Sequence, residues 1–357
     1  MKRIIFVFII LFLADSSYAQ IDFMKGSLSD AFQKSKTEKK LLMVDVFTDW
    51  CKWCVELENK VYSQKDVYEF ANSNQVNFKI DAEKGEGLEF AKKYKVNAYP
   101  TVLFLDAEGN EVDRILGYVP KKDFLEMMTD YNKGVNTFSY LKKKLEKDPD
   151  NLDANLKIAD KYTALGDNKE AKTHLEKIIT VDPQNTLGKT ADAKFRLAGM
   201  ADKEQIIPEL EKFISEYPNN DNVKDAYISI AEIYYYDKKD PDNAGKYYQE
   251  AFSKYPDYDG LRSSYGQFLN ARAGQIASDS LSKPEDYKKG LDLIDQALPY
   301  VTGSVNEASS YYLQSKILYN LADYQKANES IDKALKIFDR KLYRDLKTAV
   351  EKKLGPE

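Results

Sequence analysis

Two cysteines are all that this chain of 357 residues contains, and they stand three positions apart as Cys51 and Cys54. They close the stretch Trp50-Cys51-Lys52-Trp53-Cys54, just after the apolar run Leu41-Leu42-Met43-Val44-Asp45-Val46-Phe47. That run is continuous rather than alternating, which predicts a strand covered on both faces. A strand that stops at such a pair and turns into a helix sets the first sulfur at a helix N-terminus. Unpaired N–H groups there favour the thiolate, which is the nucleophilic form. The second sulfur follows one helical turn on, so the pair can close into a small disulfide and reopen. With one histidine in the chain, His174, and no third cysteine, a zinc site of four Cys/His ligands cannot be assembled in a monomer.

Composition narrows the setting. Lys2-Arg3, the apolar run from Ile4 to Leu13 and the small residues around Tyr18, Ser17 and Ala19, read as a signal peptide over residues 1–19. Ten apolar residues are too few to span a bilayer, and the absence of a cysteine at the cleavage point argues against a lipid anchor. The expected product is exported, soluble after signal cleavage and periplasmic or otherwise outside the cytoplasm. Its net charge changes from −5 to −6 on cleavage, with both signs well mixed, which argues against a nucleic-acid surface. In an oxidising compartment a lone Cys-x-x-Cys reads as reactive rather than structural. The remaining length calls for two or more domains.

The first part alternates helix and strand. A helix is expected over Ser27–Lys40, with Ser27 as N-cap and Leu28, Ala31 and Phe32 inward. Strands follow at 41–48 and 75–81, with a helix at 55–72 between them. A short helix at 88–94 leads through Ala98-Tyr99-Pro100-Thr101 into a strand at 102–105. A turn at Ala107–Asn110 joins it to a strand at 112–117, and a helix at 121–131 ends the domain.

This order, with its motifs, resembles the thioredoxin fold over about Phe23 to Lys133. Trp50-Cys51-x-x-Cys54 matches the redox motif, and Asp45 on the strand matches the family's buried acid. Tyr99-Pro100-Thr101 matches its cis-proline loop, and Gly117 matches a glycine beneath the active site. The residues after the motif look like the exported branch, which includes the periplasmic domain of transmembrane thiol reductases. The resemblance implies that Cys51 is the attacking, partly exposed thiolate and Cys54 the buried resolving thiol. It implies that Asp45, its pKa raised by burial, takes the proton from Cys54. Trp50 and Trp53 would form an apolar rim, and Tyr99, Pro100 and Thr101 would meet the substrate peptide. Read from its own residues, Asp45 could instead be a simple strand acid with a water partner, and Pro100 an ordinary trans loop proline; both are the minority readings. Two positions depart from the family. The lysine expected four residues before the acid ending the second strand falls on Asn77, which leaves the tuning of Asp45 open. The dipeptide between the cysteines is Lys52-Trp53, whose lysine favours thiolate but is screened if exposed.

From about Thr137 the strand-like runs stop and a helical repeat begins. Leu152–Asn185 spans 34 residues, with Ile158, Ala159, Tyr162, Gly166, Asp167, Ala171, Leu175, Ile178 and Pro183 at recurring positions. This unit resembles a tetratricopeptide repeat. Weaker copies are expected at 191–218, 226–256, 260–301 and 308–337, with a charged closing helix at 340–354 and a junction with a capping helix at 134–150. Such arrays bind peptides or proteins, and Tyr235, Tyr236, Tyr312 and Tyr319 fall where they can line the concave face; tyrosine at helical spacing also suits core packing. His174 is expected half-buried or at the surface.

The sequence therefore reads as an α/β thioredoxin-like domain (20–133) followed by an all-α tetratricopeptide-repeat solenoid (151–357). The expected activity is that of an exported thiol–disulfide oxidoreductase, a reductase or isomerase of client disulfides, with the repeat arm bringing partners to the dithiol. It needs no cofactor. Its expected partners are disulfide-bearing clients, a membrane or periplasmic redox partner and a peptide or protein ligand of the arm. The competing reading is a non-enzymatic envelope scaffold whose arm and cis-proline loop bind peptides.

Overall fold

The computed structural model describes residues 20–355, so the expected signal peptide at 1–19 lies outside the described residues. The chain divides into two compact units. Among the described residues, one holds 20–48 with Leu57–Asn132, and the other holds 133–355 together with Asp49–Glu56.

The first unit is organised by its sheet. Strands β1 (Leu41–Phe47), β2 (Gln75–Asp81), β3 (Thr101–Leu105) and β4 (Glu111–Leu116) lie in the order β2-β1-β3-β4. β1 runs parallel to β2 and antiparallel to β3, which runs antiparallel to β4. β1 is central, which is why its apolar residues are continuous. Leu42, Val44 and Val46 pack into one core with Phe78, Ile80 and Leu103; Met43 packs into the other with Val102, Phe104, Ile115 and Phe124. Helix α1 (Leu28–Glu38) starts from Ser27 in a capping box with Asp30, a local arrangement that satisfies two otherwise orphaned N–H groups. Its inward residues are Ala31 and Ser35, while Leu28 and Phe32 are half-buried. Helices α4 (Gly87–Lys93) and α5 (Lys121–Asn132) fall within a residue of expectation.

The helix expected over 55–72 is not continuous. It begins as α2 (Lys52–Leu57), widens into a π-helical turn over Glu58–Tyr62, and restarts as α3 (Lys65–Asn74) after Gln64 takes an extended conformation. The turn closes with the Ser63 N–H on the Glu58 carbonyl, an i→i+5 bond of 3.2 Å. Apolar spacing carries no sign of the extra residue that a π turn inserts.

The helical unit follows the repeat reading. After α6 (Phe138–Lys147), capped by Thr137, come the pairs α7 (Leu152–Ala164) with α8 (Asn168–Val181) and α9 (Lys189–Gly199) with α10 (Ile206–Glu216). α11 (Val223–Glu232), extended by a π turn at Ile233–Asp237, pairs with α12 (Pro241–Lys254). α13 (Asp259–Ser278) pairs with α14 (Pro284–Val301), and α15 (Val305–Asn320) with α16 (Tyr324–Ile337). α17 (Lys341–Leu354) ends the array by burying Tyr343 against Ala308, Ile331 and Ala334. Of the four tyrosines expected on the concave face, Tyr235 is instead core, 5% exposed and edge-on to Phe268. Tyr312 is half-buried and stacked on Tyr343, Tyr319 is half-buried beside Tyr324, and Tyr236 is 51% exposed. His174 is half-buried, with Nδ1 2.8 Å from Asn155 Oδ1 and its ring stacked on Tyr162.

Three of the pairs share one turn. Asp167, Asp240 and Asp323 each cap the second helix through a carboxylate that accepts the N–H three residues on. The residue before each cap is left-handed: Gly166 (φ 78°), Lys239 (φ 56°) and Ala322 (φ 60°). Only glycine adopts that conformation without steric cost. Ala322→Gly is therefore expected to stabilise the protein by about 1 kcal/mol, despite the greater freedom glycine brings to the unfolded chain. Urea unfolding checks this; a lower midpoint for the variant would refute it. Among the described residues, no helix is long and apolar enough to cross a membrane.

Candidate redox site

The site begins where β1 runs out. Thr48, Asp49 and Trp50 carry the chain to Cys51, the residue before α2, and Cys54 follows on its first turn. The two sulfurs are bonded, with the Cα atoms 5.3 Å apart. Cys51 Sγ also accepts the backbone N–H of Cys54 at 3.0 Å, the bond that an N-cap serine or aspartate oxygen would accept. Once the disulfide opens, that N–H points at the Cys51 sulfur and favours its ionised form. Trp50, just before Cys51, and Trp53, between the two cysteines, are 53% and 44% exposed.

Two expectations need correction here. Cys51 is not partly exposed: it is 4% exposed, as is Cys54. In the oxidised form its sulfur is held by both the S–S bond and the Cys54 N–H. Lys52 is half-buried rather than solvent-screened, and burial pushes its ammonium below the usual lysine range. Less screening makes its charge count for more at the neighbouring sulfur.

Asp45 is buried on β1, and burial pushes its carboxyl above the usual carboxylate range, with the Lys79 ammonium opposing that rise. The strand register sets Asp45 directly opposite Lys79, whose Nζ lies 3.5 Å from Asp45 Oδ2. Lys79 also pairs with Glu58 of the π turn. The tuning question raised by Asn77 is thereby answered one step along the same strand face. Asn77 stands opposite Met43 and donates to Asn72 Oδ1 at 3.2 Å, and Lys79 supplies the cation. Lys79 and Glu58 were not anticipated from the sequence. The available signals were a lysine flanked by Phe78 and Ile80 in a buried strand, and an acid four residues beyond Cys54 on the same helical face.

The peptide bond between Tyr99 and Pro100 is cis. Pro100 is buried and Tyr99 half-buried, and the Pro100 carbonyl accepts the Gly117 N–H at 2.8 Å. Gly117 adopts φ 74°, and a Cβ added there would meet nothing within 4 Å, so backbone conformation rather than crowding selects glycine. Thr101 is fully buried, and its hydroxyl donates to the Ala98 carbonyl at 2.8 Å. Any contact it makes with a peptide must come from its backbone. The register sets Thr101 opposite Val46 and Val102 opposite Asp45, so this loop enters the sheet beside the end of β1.

Comparison with known proteins identifies both parts. Residues 28–132 match a thioredoxin-like domain model, and residues 132–195, 225–258 and 308–339 match tetratricopeptide-repeat models. The chain joins a thioredoxin-like domain to tetratricopeptide repeats. The thiol:disulfide interchange protein DsbD of Yersinia pestis is 32% identical over 95 residues, 26% of this chain and 16% of DsbD. The disulfide bond reductase DsbH of Chlamydia pneumoniae is 26% identical over 104 residues, 26% of this chain and 62% of DsbH. A solution structure of a candidate disulphide-isomerase from Bacteroides thetaiotaomicron has 38% identity, covering 32% of this chain and 96% of its own, with a TM-score of 0.31. The chain thus spans less than two thirds of the length of these curated relatives.

Proposed function

We propose that the protein is an exported thiol–disulfide oxidoreductase that reduces or isomerises disulfides in client proteins. The observation that carries this reading is the Cys51–Cys54 disulfide with a backbone N–H on the Cys51 sulfur, at the end of a strand that also bears a buried acid. In the reduced protein Cys51 thiolate attacks one sulfur of a client disulfide and displaces the other as a thiolate. Cys54 loses its proton to Asp45 and attacks Cys51 Sγ, which releases the second client sulfur and leaves the Cys51–Cys54 disulfide. Two electrons pass to the client, so a redox partner must reduce the pair again. Trp50, Trp53 and the backbone around Tyr99, Pro100 and Thr101 receive the client segment. The repeat arm raises the local concentration of clients or of the partner.

A relative named as a disulfide reductase favours the reducing direction. Equilibration of the Cys51–Cys54 couple with thiol buffers tests it. A potential near about −270 mV is expected of an electron donor, whereas a value near about −120 mV would make the protein an oxidant. A pair that forms no intramolecular disulfide in solution would remove the dithiol reading altogether.

A further inference from the structure

Tyr62 takes no part in the dithiol chemistry described above, yet its position is specific. It ends the π turn that Glu58 begins, and its ring is fixed tilted on Phe23 at 5.5 Å and edge-on to Phe124 at 5.7 Å. Its hydroxyl is buried with no hydrogen-bond partner. Asp45 Oδ1 is likewise buried with none, while Oδ2 faces Lys79. The two orphan atoms are neighbours: the Tyr62 hydroxyl acts on the Asp45 carboxyl, and burial followed by the Asp45 charge pushes the Tyr62 hydroxyl well above the usual phenol range. A buried donor and a buried acceptor left unpaired side by side are unusual, because each forfeits its bonds to water. A hydroxyl can donate to a carboxylate and accept from a carboxylic acid, so it can serve both states of Asp45.

We propose that Tyr62 is a positioning residue for Asp45, its hydroxyl bonding Oδ1 and holding the carboxylate ready to receive the proton of Cys54. This rests on the oxidoreductase reading for the role of Asp45, but not for the pairing itself. The other groups facing the carboxyl are few. β2 contributes Lys79, which the π turn backs with Glu58, and β3 places Val102 opposite, which carries no titratable group. In the oxidised protein Cys54 has no proton to exchange.

Tyr62→Phe keeps the ring and removes only the hydroxyl. Without the donor the ionised carboxyl loses support, so Asp45 should titrate about one pH unit higher. Carboxyl carbon NMR of the oxidised full chain reads this without any activity. In the reduced protein the pH midpoint of client-disulfide turnover should move upward by the same amount. In an Asp45→Asn background Tyr62→Phe should move nothing. The ring contacts remain, so the variant should fold, and its urea midpoint should fall by no more than the loss of one hydrogen bond allows. An Asp45 titration identical in wild type and Tyr62→Phe overturns the proposal, and so does a turnover shift that persists in Asp45→Asn. A wild-type protein with no Cys51-dependent turnover would instead overturn the functional reading, with the NMR titration still deciding the pairing.

Discussion

Cys51→Ser should reduce disulfide exchange by about 10³-fold or more, to the level of the uncatalysed reaction, while leaving the fold in place. A serine hydroxyl stays protonated where a thiol at a helix start ionises, so the N–H of Cys54 would have no thiolate to support. Loss of the disulfide should be tolerated. The sulfurs close a loop of four residues, and constraining so short a loop adds only about 2 kcal/mol. The two cores of the sheet unit are assembled from Met43, Leu57, Phe104 and Phe124 on one side and Leu42, Val44 and Leu103 on the other, without either sulfur. The companion variant separates the two roles. Under the proposed assignment Cys54→Ser keeps the attacking thiol and removes the resolving one, so a covalent adduct with the client should accumulate one per molecule and persist until external thiol is added. Insulin reduction and non-reducing electrophoresis read both outcomes. Exchange at the wild-type rate in Cys51→Ser would refute the assignment, and adducts in Cys51→Ser rather than Cys54→Ser would reverse the roles.

What was legible in the sequence follows from which forces write a local signature. β1 and β2 were expected at 41–48 and 75–81 and run Leu41–Phe47 and Gln75–Asp81; β1 shows as the near-continuous apolar run of a strand covered on both faces, and β2 as the alternation of Val76, Phe78 and Ile80 with polar residues. The dithiol and its two tryptophans were legible because no other cysteine competes for pairing. The repeat array was legible through small residues such as Ala159 and Ala171, which are fully buried where helices approach closely. The illegible features depend on register or on backbone geometry. Lys79 rather than Asn77 meets Asp45 because the parallel pairing is fixed by the whole sheet, not by either strand alone. The π turn at Glu58–Tyr62 adds a residue to a helix without altering its composition. Gly166 is the residue type that a left-handed turn favours, whereas Lys239 and Ala322 hold the same conformation with side chains that give no hint of it. Tyr235 carries the same residue type as Tyr236 but lies in the core, since adjacent positions on a helix point to different sides.

Asp45→Asn should make the oxidised protein more stable at pH 8 by on the order of 1–3 kcal/mol, and no more stable at pH 3. Two effects oppose each other at this carboxyl. Burial disfavours its charge, and Lys79 at 3.5 Å favours it; the carboxyl nonetheless stays above the usual range, so burial wins. The sign of the pH dependence follows. Below the unfolded value of about 3.9 the group is protonated in both states and contributes nothing. As the pH rises through 3.9 the unfolded chain ionises while the folded carboxyl resists, which draws the equilibrium toward unfolding. The loss levels off only above the raised folded value. Asparagine fills the same volume without a charge to bury. Lys79 is not stranded by the change, because Glu58 remains its partner and its side chain is in part exposed. Urea unfolding of wild type and variant at pH 3 and pH 8 measures the difference directly. A variant less stable at pH 8 would mean that the Lys79 attraction exceeds the cost of burial, and Asp45 would then be an ion-pair residue rather than a strained base. If the expected gain appears together with a slower resolving step, the same burial that weakens the fold is what makes Asp45 able to take a proton from a thiol near neutral pH.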